Sequence, residues 1–354
     1  MMNEILENAL IAGLAGRFPR SPLQYNGLQE SDAELIRLPG TDVLLAVTAD
    51  TIVEEIEAGL YADPYLIGWM TVIASASDLA AVGAEPLGIL LSETLPRDAG
   101  GEFTASLQNG IRDACLACGL PVLGGDTNLS SRLVMTGCAL GVVSDGRPIT
   151  RVGCRPGDLL FATGRFGGGS AYAFVRFVLA RKGHNLSFPY QPQPRLREGQ
   201  LVRRFASCAM DTSDGLLTTL DQLMRLNSVG FVVEAGPEEF LDPYTLRLSG
   251  QAKVAPWIPL AGPHGEFELV FAVPPPQVDP LLARASADGW TPVMLGKVVA
   301  EPGISLLLAG EATRLDTGRI RNLFDHCDGN VDEYFSGLLS LQMELEEGGR
   351  TDAS

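Results

Sequence analysis

The sequence predicts an α/β protein of two domains, and three observations carry that prediction. At 354 residues and 37.7 kDa the chain is long for a single core. Short β-branched apolar runs alternate with longer stretches of helical apolar spacing. Near residue 150 the composition turns to Pro, Gly and Arg, in SDGRPITRVGCRPGD, as stretches between domains do. The expected division is 1–149, 150–342 and a frayed acidic tail over 343–354.

Residues 1 to about 20 read as a short amphipathic helix and a polar loop, and Asp32 follows in QESDAELI. VLLAVTAD, 43–50, has the content of a buried strand and ends in Asp50 and Thr51. A carboxylate at a strand end either meets a ligand or caps the next element, and Asp50 admits both readings. From Gly68 to Pro86 the run GWMTVIASASDLAAVGAEP has apolar residues on more than one face, which suits a helix packed between other elements. Asp78 lies in its middle, and no Lys or Arg accompanies it. Either Ser77-Asp78 caps a second helix, or Asp78 is a buried charge that needs a cation from elsewhere, for which a divalent metal is the simplest candidate.

LGILLSETL, 87–95, reads as a second strand and SLQNGIRDACLACG, 106–119, as a helix. In Gly124-Gly125-Asp126-Thr127 the glycines permit a close backbone approach to a ligand, with Asp126 at a strand exit; a hairpin turn is the alternative. LVMTGCALGVV, 133–143, is another strand, and the second domain opens with one at 158–162. The turn TGRFGGGS before the predicted helix 170–183 could cradle phosphate, but it lacks the Lys of a P-loop. A Pro- and Arg-rich loop spans 187–198. Asp211 ends a short apolar strand, and Ser213 can cap a helix that starts at Asp214-Gly215 and carries Leu216, Leu217, Leu220 and Leu223 on one face. FELVFAV, 267–273, belongs to the helix and strand alternation that follows.

The formal net charge is −17 and the pI about 4.6, which excludes the basic face that nucleic acid requires. An acidic protein that handles phosphates needs metal ions between the two. No apolar run reaches the length of a membrane span, and the start MMNEILENALIAG lacks the basic residues of a signal peptide, so a cytoplasmic location is expected. Cys115 and Cys118 form a CxxC among six cysteines, but no second ligand pair accompanies them, so they read as packed thiols.

Asp32, Asp50, Asp78, Asp126, Asp211 and Asp214 all stand at the ends of apolar elements, with Thr48, Thr51, Thr127 and Ser213 close by. Such oxygen donors suit Mg²⁺, which bridges carboxylates to substrate phosphates. The chemistry indicated is phosphoryl transfer by alignment and charge neutralisation, because its transition state asks little covalent chemistry of the protein.

The motifs TADTIVEE, DPYLIGWMTVIASASDLAAVGAEP, GGDT, GRPITRVGCRPGDLLFATG, PQPRLREGQ and AMDTSDGL stand in series over nearly the whole chain. In that order the sequence resembles thiamine-monophosphate kinases, of the superfamily of aminoimidazole ribonucleotide synthase, the hydrogenase maturation factor and selenophosphate synthetase. The resemblance implies an N-terminal ATP- and Mg²⁺-binding domain whose sheet pairs across a homodimer, and a C-terminal α/β domain. It implies metal binding by Asp32, Thr48, Asp50, Asp78, Asp126, Asp211 and Asp214, of which Asp50, Asp78, Asp126 and Asp214 serve catalysis. It places ATP against Gly125, Asp126, Arg151 and Ser213. The family's GDD is here Glu30-Ser31-Asp32, and Glu57 stands where the family pattern VEGVHF has its histidine. The pattern GEDYEL becomes His264 to Leu269, with the acidic group at Glu266. Glu57 and Glu266 thus mark the acceptor side. The leading expectation is an ATP-dependent thiamine-monophosphate kinase. The alternatives are a diverged relative that uses ATP on another small-molecule acceptor, and a non-catalytic nucleotide-binding dimer.

Overall fold

The computed structural model describes residues 4–180, 188–308, 310–327 and 330–351. The first half contains α1 (Leu6–Ala15), β1 (Glu34–Arg37), β2 (Leu44–Thr51), α2 (Val53–Glu57), α3 (Pro64–Ala81), β3 (Glu85–Pro96), α4 (Gly101–Cys118), β4 (Val122–Ser130) and β5 (Val134–Val143). Then come β6 (Leu159–Ala162), α5 (Gly168–Phe174), which runs on as a π-helical stretch to Leu179, α6 (Leu196–Val202), β7 (Cys208–Asp211), α7 (Gly215–Asn227) and β8 (Gly230–Val233). The chain closes with α8 (Pro237–Phe240), α9 (Pro243–Ala252), β9 (Leu269–Val273), α10 (Pro275–Ala287), β10 (Val293–Val299), β11 (Gly303–Leu308), β12 (Glu311–Leu315), α11 (Thr317–His326) and α12 (Val331–Thr351). The last three residues of the predicted helix 170–183, the first of the loop 187–198 and the end of the tail lie outside the described residues.

Two mixed sheets organise the molecule. The first has the order β1-β2-β5-β3-β4, with only β3 and β4 parallel. The second has the order β12-β11-β8-β10-β6-β9-β7, with only β8 and β11 parallel. Among the described residues no helix is long and apolar enough to cross a membrane.

Helix α3 lies between the two halves, which is why its apolar residues occupy every face. It packs on β2, β3 and β5, on α4, and on α6 and β7. Asp63 caps it by accepting from the Tyr65 N–H at 3.0 Å, with Pro64 at the first helical position. The helix then runs unbroken to Ala81, so Ser77-Asp78 does not cap a second helix. Two glycines let α3 and α4 touch backbone to backbone. A Cβ on Gly68 would stand 2.0 Å from the Leu107 carbonyl oxygen, and one on Gly110 would stand 2.0 Å from that of Tyr65.

The GGDT stretch is neither a hairpin turn nor a strand exit: it lies in mid-strand in β4, at the sheet edge. Its Gly125 is needed because a Cβ there would meet the Leu91 carbonyl oxygen of β3 at 1.9 Å. The close approach is to a neighbouring strand. In α7 the four predicted leucines are all fully buried. The acidic stretch from 343 does not fray at once but continues α12 to Thr351. Leu338, Leu341 and Leu345 recur at helical spacing and pack on the C-terminal core, which holds the helix together despite its glutamates.

Candidate active site

Strand alternation puts Thr48 and Asp50 of β2 on one face, towards α3. The Thr48 hydroxyl donates to Asp78 Oδ2 and lies 3.3 Å from Asp50 Oδ2. Ser75, one turn before Asp78, donates to the Gly137 carbonyl of β5 at 3.1 Å and locks the register of helix against sheet. From the other half, β7 delivers Asp211, whose Oδ2 accepts from the Ser77 hydroxyl at 2.6 Å and whose Oδ1 accepts from Ser213 at 3.2 Å. Asp32 arrives on the loop before β1 and pairs with Arg151 at 2.9 Å. Arg151 is itself fixed: its N–H donates to the Glu30 carbonyl at 2.8 Å and its carbonyl accepts from Asn227.

The outcome is a cluster in which Asp32, Asp78 and Asp211 each offer one oxygen, all within 4.8 Å of one another. Burial, then repulsion from Asp50, Asp211 and Asp32, pushes Asp78 well above the usual carboxylate range. Burial and then Asp32 raise Asp211 to about 7, and burial raises Asp50 as well. At Arg151 burial opposes the charge, but Asp32 outweighs it and holds the guanidinium firmly protonated. A group of carboxylates that destabilise one another is poised for a cation. Two unpartnered buried atoms in the same corner, Asp32 Oδ2 and Ser31 Oγ, fit that reading. The donor set is all oxygen, as Mg²⁺ prefers.

The remaining expected residues divide. Asp214 opens α7 and is half-buried, with its carboxyl raised to about 6 by loss of solvent and then Glu7; it also adds to the charge felt by Asp211. Gly125 and Asp126 are not brought to the cluster, because β4 is separated from β2 by β5 and β3. Asp126 is exposed and accepts from Asn128 at 2.7 Å. Glu57 is exposed and pairs with Arg132 at 2.7 Å. Glu30 turns away, with its carboxylate accepting from Gly27 N–H at 2.6 Å. Sequence reading passed over Ser77 as a partner of Asp211 and did not single out Glu55 on α2, whose Oε2 is buried and unpartnered. A Glu in a polar helical turn carries no local signal of burial.

The glycine-rich turn 163–170 is filled by the chain's own carboxylate. Glu266 Oε1 accepts from the N–H groups of Gly167 at 2.7 Å and Gly169 at 3.2 Å, while Oε2 has no partner. Burial raises this carboxyl from an ordinary value of 4.5 to about 8. An acid held above its unfolded value costs the native state stability as pH rises from about 4.5 through about 8. Glu266→Gln keeps an oxygen acceptor and removes that cost. The variant should therefore gain thermal midpoint relative to wild type at pH 8.5 but not at pH 5. An equal difference at both pH values would show that Glu266 ionises freely.

Comparison with known proteins places this architecture. Residues 30–143 match the N-terminal domain of AIR synthase related proteins, and residues 155–309 match their C-terminal domain. The two-sheet fold is thus that of the AIR synthase related class. A thiamine-monophosphate kinase of Halobacterium salinarum is 34% identical over 242 residues, 68% of this chain and 80% of the relative. The crystal structure of tt0281 from Thermus thermophilus superposes with a TM-score of 0.72 at 32% identity, over 85% of this chain and 96% of that one. A ThiL protein solved with AMPPCP and TMP shares the fold, with a TM-score of 0.69 at 20% identity over 86% and 94% of the two chains. The chain belongs to the thiamine-monophosphate kinase family.

Proposed function

We propose that this chain transfers the γ-phosphoryl group of ATP to thiamine monophosphate, giving thiamine diphosphate and ADP. The observation that carries the reading is the interdomain cluster of Asp32, Asp78 and Asp211, in a chain 34% identical to a thiamine-monophosphate kinase over 242 residues. Asp32, Asp78 and Asp211 would hold Mg²⁺, with Thr48, Asp50 and Asp214 beside them, and the ion supplies charge neutralisation at phosphate oxygens. Arg151 and Ser213 belong to the nucleotide's side, and the buried, unpartnered Nε of Arg151 supports anion binding. Ser77 and Ser75 orient the carboxylates and hold α3 in place.

Gly125 and Asp126 act in a second copy's context. The whole of β4 up to Leu129 is exposed, with Val122 at 50% and Leu123 and Leu129 at 55%, beside a groove of about 720 Å³. An open apolar edge strand of this kind favours a homodimer. We assign residues 1–149 to nucleotide and metal binding and to dimerisation, and 150–342 to the second α/β domain.

The test is ADP release from ATP and Mg²⁺ with thiamine monophosphate, against a control without acceptor. Turnover should depend on the acceptor and yield the diphosphate. ADP release that ignores the acceptor would overturn the assignment and leave a nucleotide-binding protein of another use.

A further inference from the structure

The stretch from Tyr190 to Gln200, which holds the motif PQPRLREGQ and leads into α6, supplies no group to the aspartate cluster, yet it touches both halves that meet there. On one side it is fixed to α3 at two points. The Trp69 indole N–H donates to the Pro192 carbonyl at 2.9 Å, and Gly199 lies so close that a Cβ there would stand 2.0 Å from the Ala80 carbonyl oxygen. On the other side it holds the segment 265–268. The Tyr190 hydroxyl donates to the Gly265 carbonyl at 2.7 Å, and Arg195 grips the Glu268 carboxylate with Nε at 2.7 Å and Nη2 at 2.6 Å. Glu268 is buried, and its carboxylate also accepts from the Thr163 hydroxyl at 2.6 Å. The segment in turn backs the turn that carries Asp211, Ser213 and Asp214. Thr212, fully buried, donates its N–H to the Glu268 carbonyl at 2.8 Å, and its hydroxyl accepts from the Glu268 N–H at 3.0 Å. Gly265 donates to the Ser213 carbonyl at 2.8 Å, and a Cβ on Gly265 would stand 1.7 Å from the Thr212 carbonyl oxygen.

A line of close contacts and hydrogen bonds thus runs from α3, which carries Asp78, through Gly199 and Arg195 to Glu268, Thr212 and Asp211. The two carboxylates at its ends repel each other, so their spacing has to be imposed by the protein. We propose that Arg195 is a positioning residue: its two-point pairing with Glu268 sets the distance of Asp211 from Asp78, and with it the fit of the cluster to Mg²⁺. The inference rests on the metal-binding reading above and deepens it. Mg²⁺ demands near-ideal octahedral geometry, so a small change in spacing tells on its affinity. A bidentate guanidinium suits the task, because two parallel bonds fix angle as well as distance, and a lysine ammonium gives no such fork.

The experiment uses the full chain and its Arg195→Lys and Glu268→Gln variants. Binding of the non-hydrolysable nucleotide AMPPCP is titrated calorimetrically over a series of Mg²⁺ concentrations, well below the thermal midpoint of each protein. The readout is the Mg²⁺ concentration at which nucleotide affinity reaches half of its rise. Both variants should need about tenfold more Mg²⁺ than wild type, the usual scale for groups that orient a metal's ligands. At saturating Mg²⁺ their affinity for AMPPCP should return to within about twofold of wild type, because no residue assigned to the nucleotide has been changed. A lowered thermal midpoint with an unchanged Mg²⁺ requirement would make the pair structural only and overturn the proposal, and so would failure of both variants to fold. A loss of nucleotide affinity that excess Mg²⁺ does not restore would place the pair on the nucleotide itself, and would overturn it as well. Wild type that binds AMPPCP equally with and without Mg²⁺ would remove the metal-binding reading, and this proposal with it.

Discussion

Asp78→Asn should raise the thermal midpoint of the ligand-free protein and, at the same time, cut Mg²⁺-dependent nucleotide binding about a hundredfold or more. The two effects have one cause. Asp78 is half-buried on α3 between Asp50, Asp211 and Asp32, and its carboxyl is pushed far up by loss of solvent and by those neighbours. Without a cation the charge is a burden on the fold, as groups at functional sites often are. The amide removes the repulsion, keeps an oxygen to accept from Thr48, and takes away charge that a phosphate-bound cation requires. Calorimetric unfolding of the ligand-free protein and titration with ATP and Mg²⁺ read the two effects separately. Nucleotide affinity equal to wild type, or a lower midpoint, would remove Asp78 from the centre of the cluster.

Gly68→Ala and Gly110→Ala should each destabilise the protein by about 3 kcal/mol, at the severe end of overpacking substitutions. Ordinarily an alanine in a helix interior is worth up to about 1 kcal/mol over glycine, so the sign itself is diagnostic. Here the added methyl groups would lie 2.0 Å from carbonyl oxygens of the facing helix, and a rigid backbone has no rotamer with which to escape. The helices must part, and α3 takes Ser77 and Asp78 with it. Denaturant unfolding checks the stability, and Mg²⁺-dependent nucleotide binding in the surviving fraction should weaken as well. Alanine variants as stable as wild type would mean that α3 and α4 cross with more room than this geometry allows.

Much of the architecture was legible because its signals are local. The strands 43–50 and 133–143 and the leucine face of α7 follow from side-chain period, and the all-round apolar pattern of the 68–86 run correctly announced a helix enclosed on every side. Where local patterns had two solutions, the chain's neighbours chose. Ser77-Asp78 could have capped a helix, yet α3 continues through it because Ser77 meets Asp211, 134 residues away. GGDT had the composition of a turn, but pairing with β3 drew it into mid-strand, where Gly125 admits the Leu91 carbonyl. The acidic end looked solvated, but it continues a helix whose preceding Leu338 and Leu341, with Leu345 of the tail itself, lie against the C-terminal core.

The sequence by itself determined that six aspartates stand in or beside apolar elements with hydroxyl residues close by, and that phosphate chemistry without a P-loop is its theme. Only the tertiary structure decided which of those aspartates meet. Asp32, Asp78 and Asp211 converge because α3 is wedged between a sheet from each half, while two intervening strands keep Asp126 at an open edge. It also decided that the glycine-rich turn receives Glu266 and that Glu55 is left with an unpaired oxygen. The physical reason is that charge is local in sequence but its cost is not. A carboxylate's energy depends on burial and on partners tens or hundreds of residues away, and these exist only once the chain has packed.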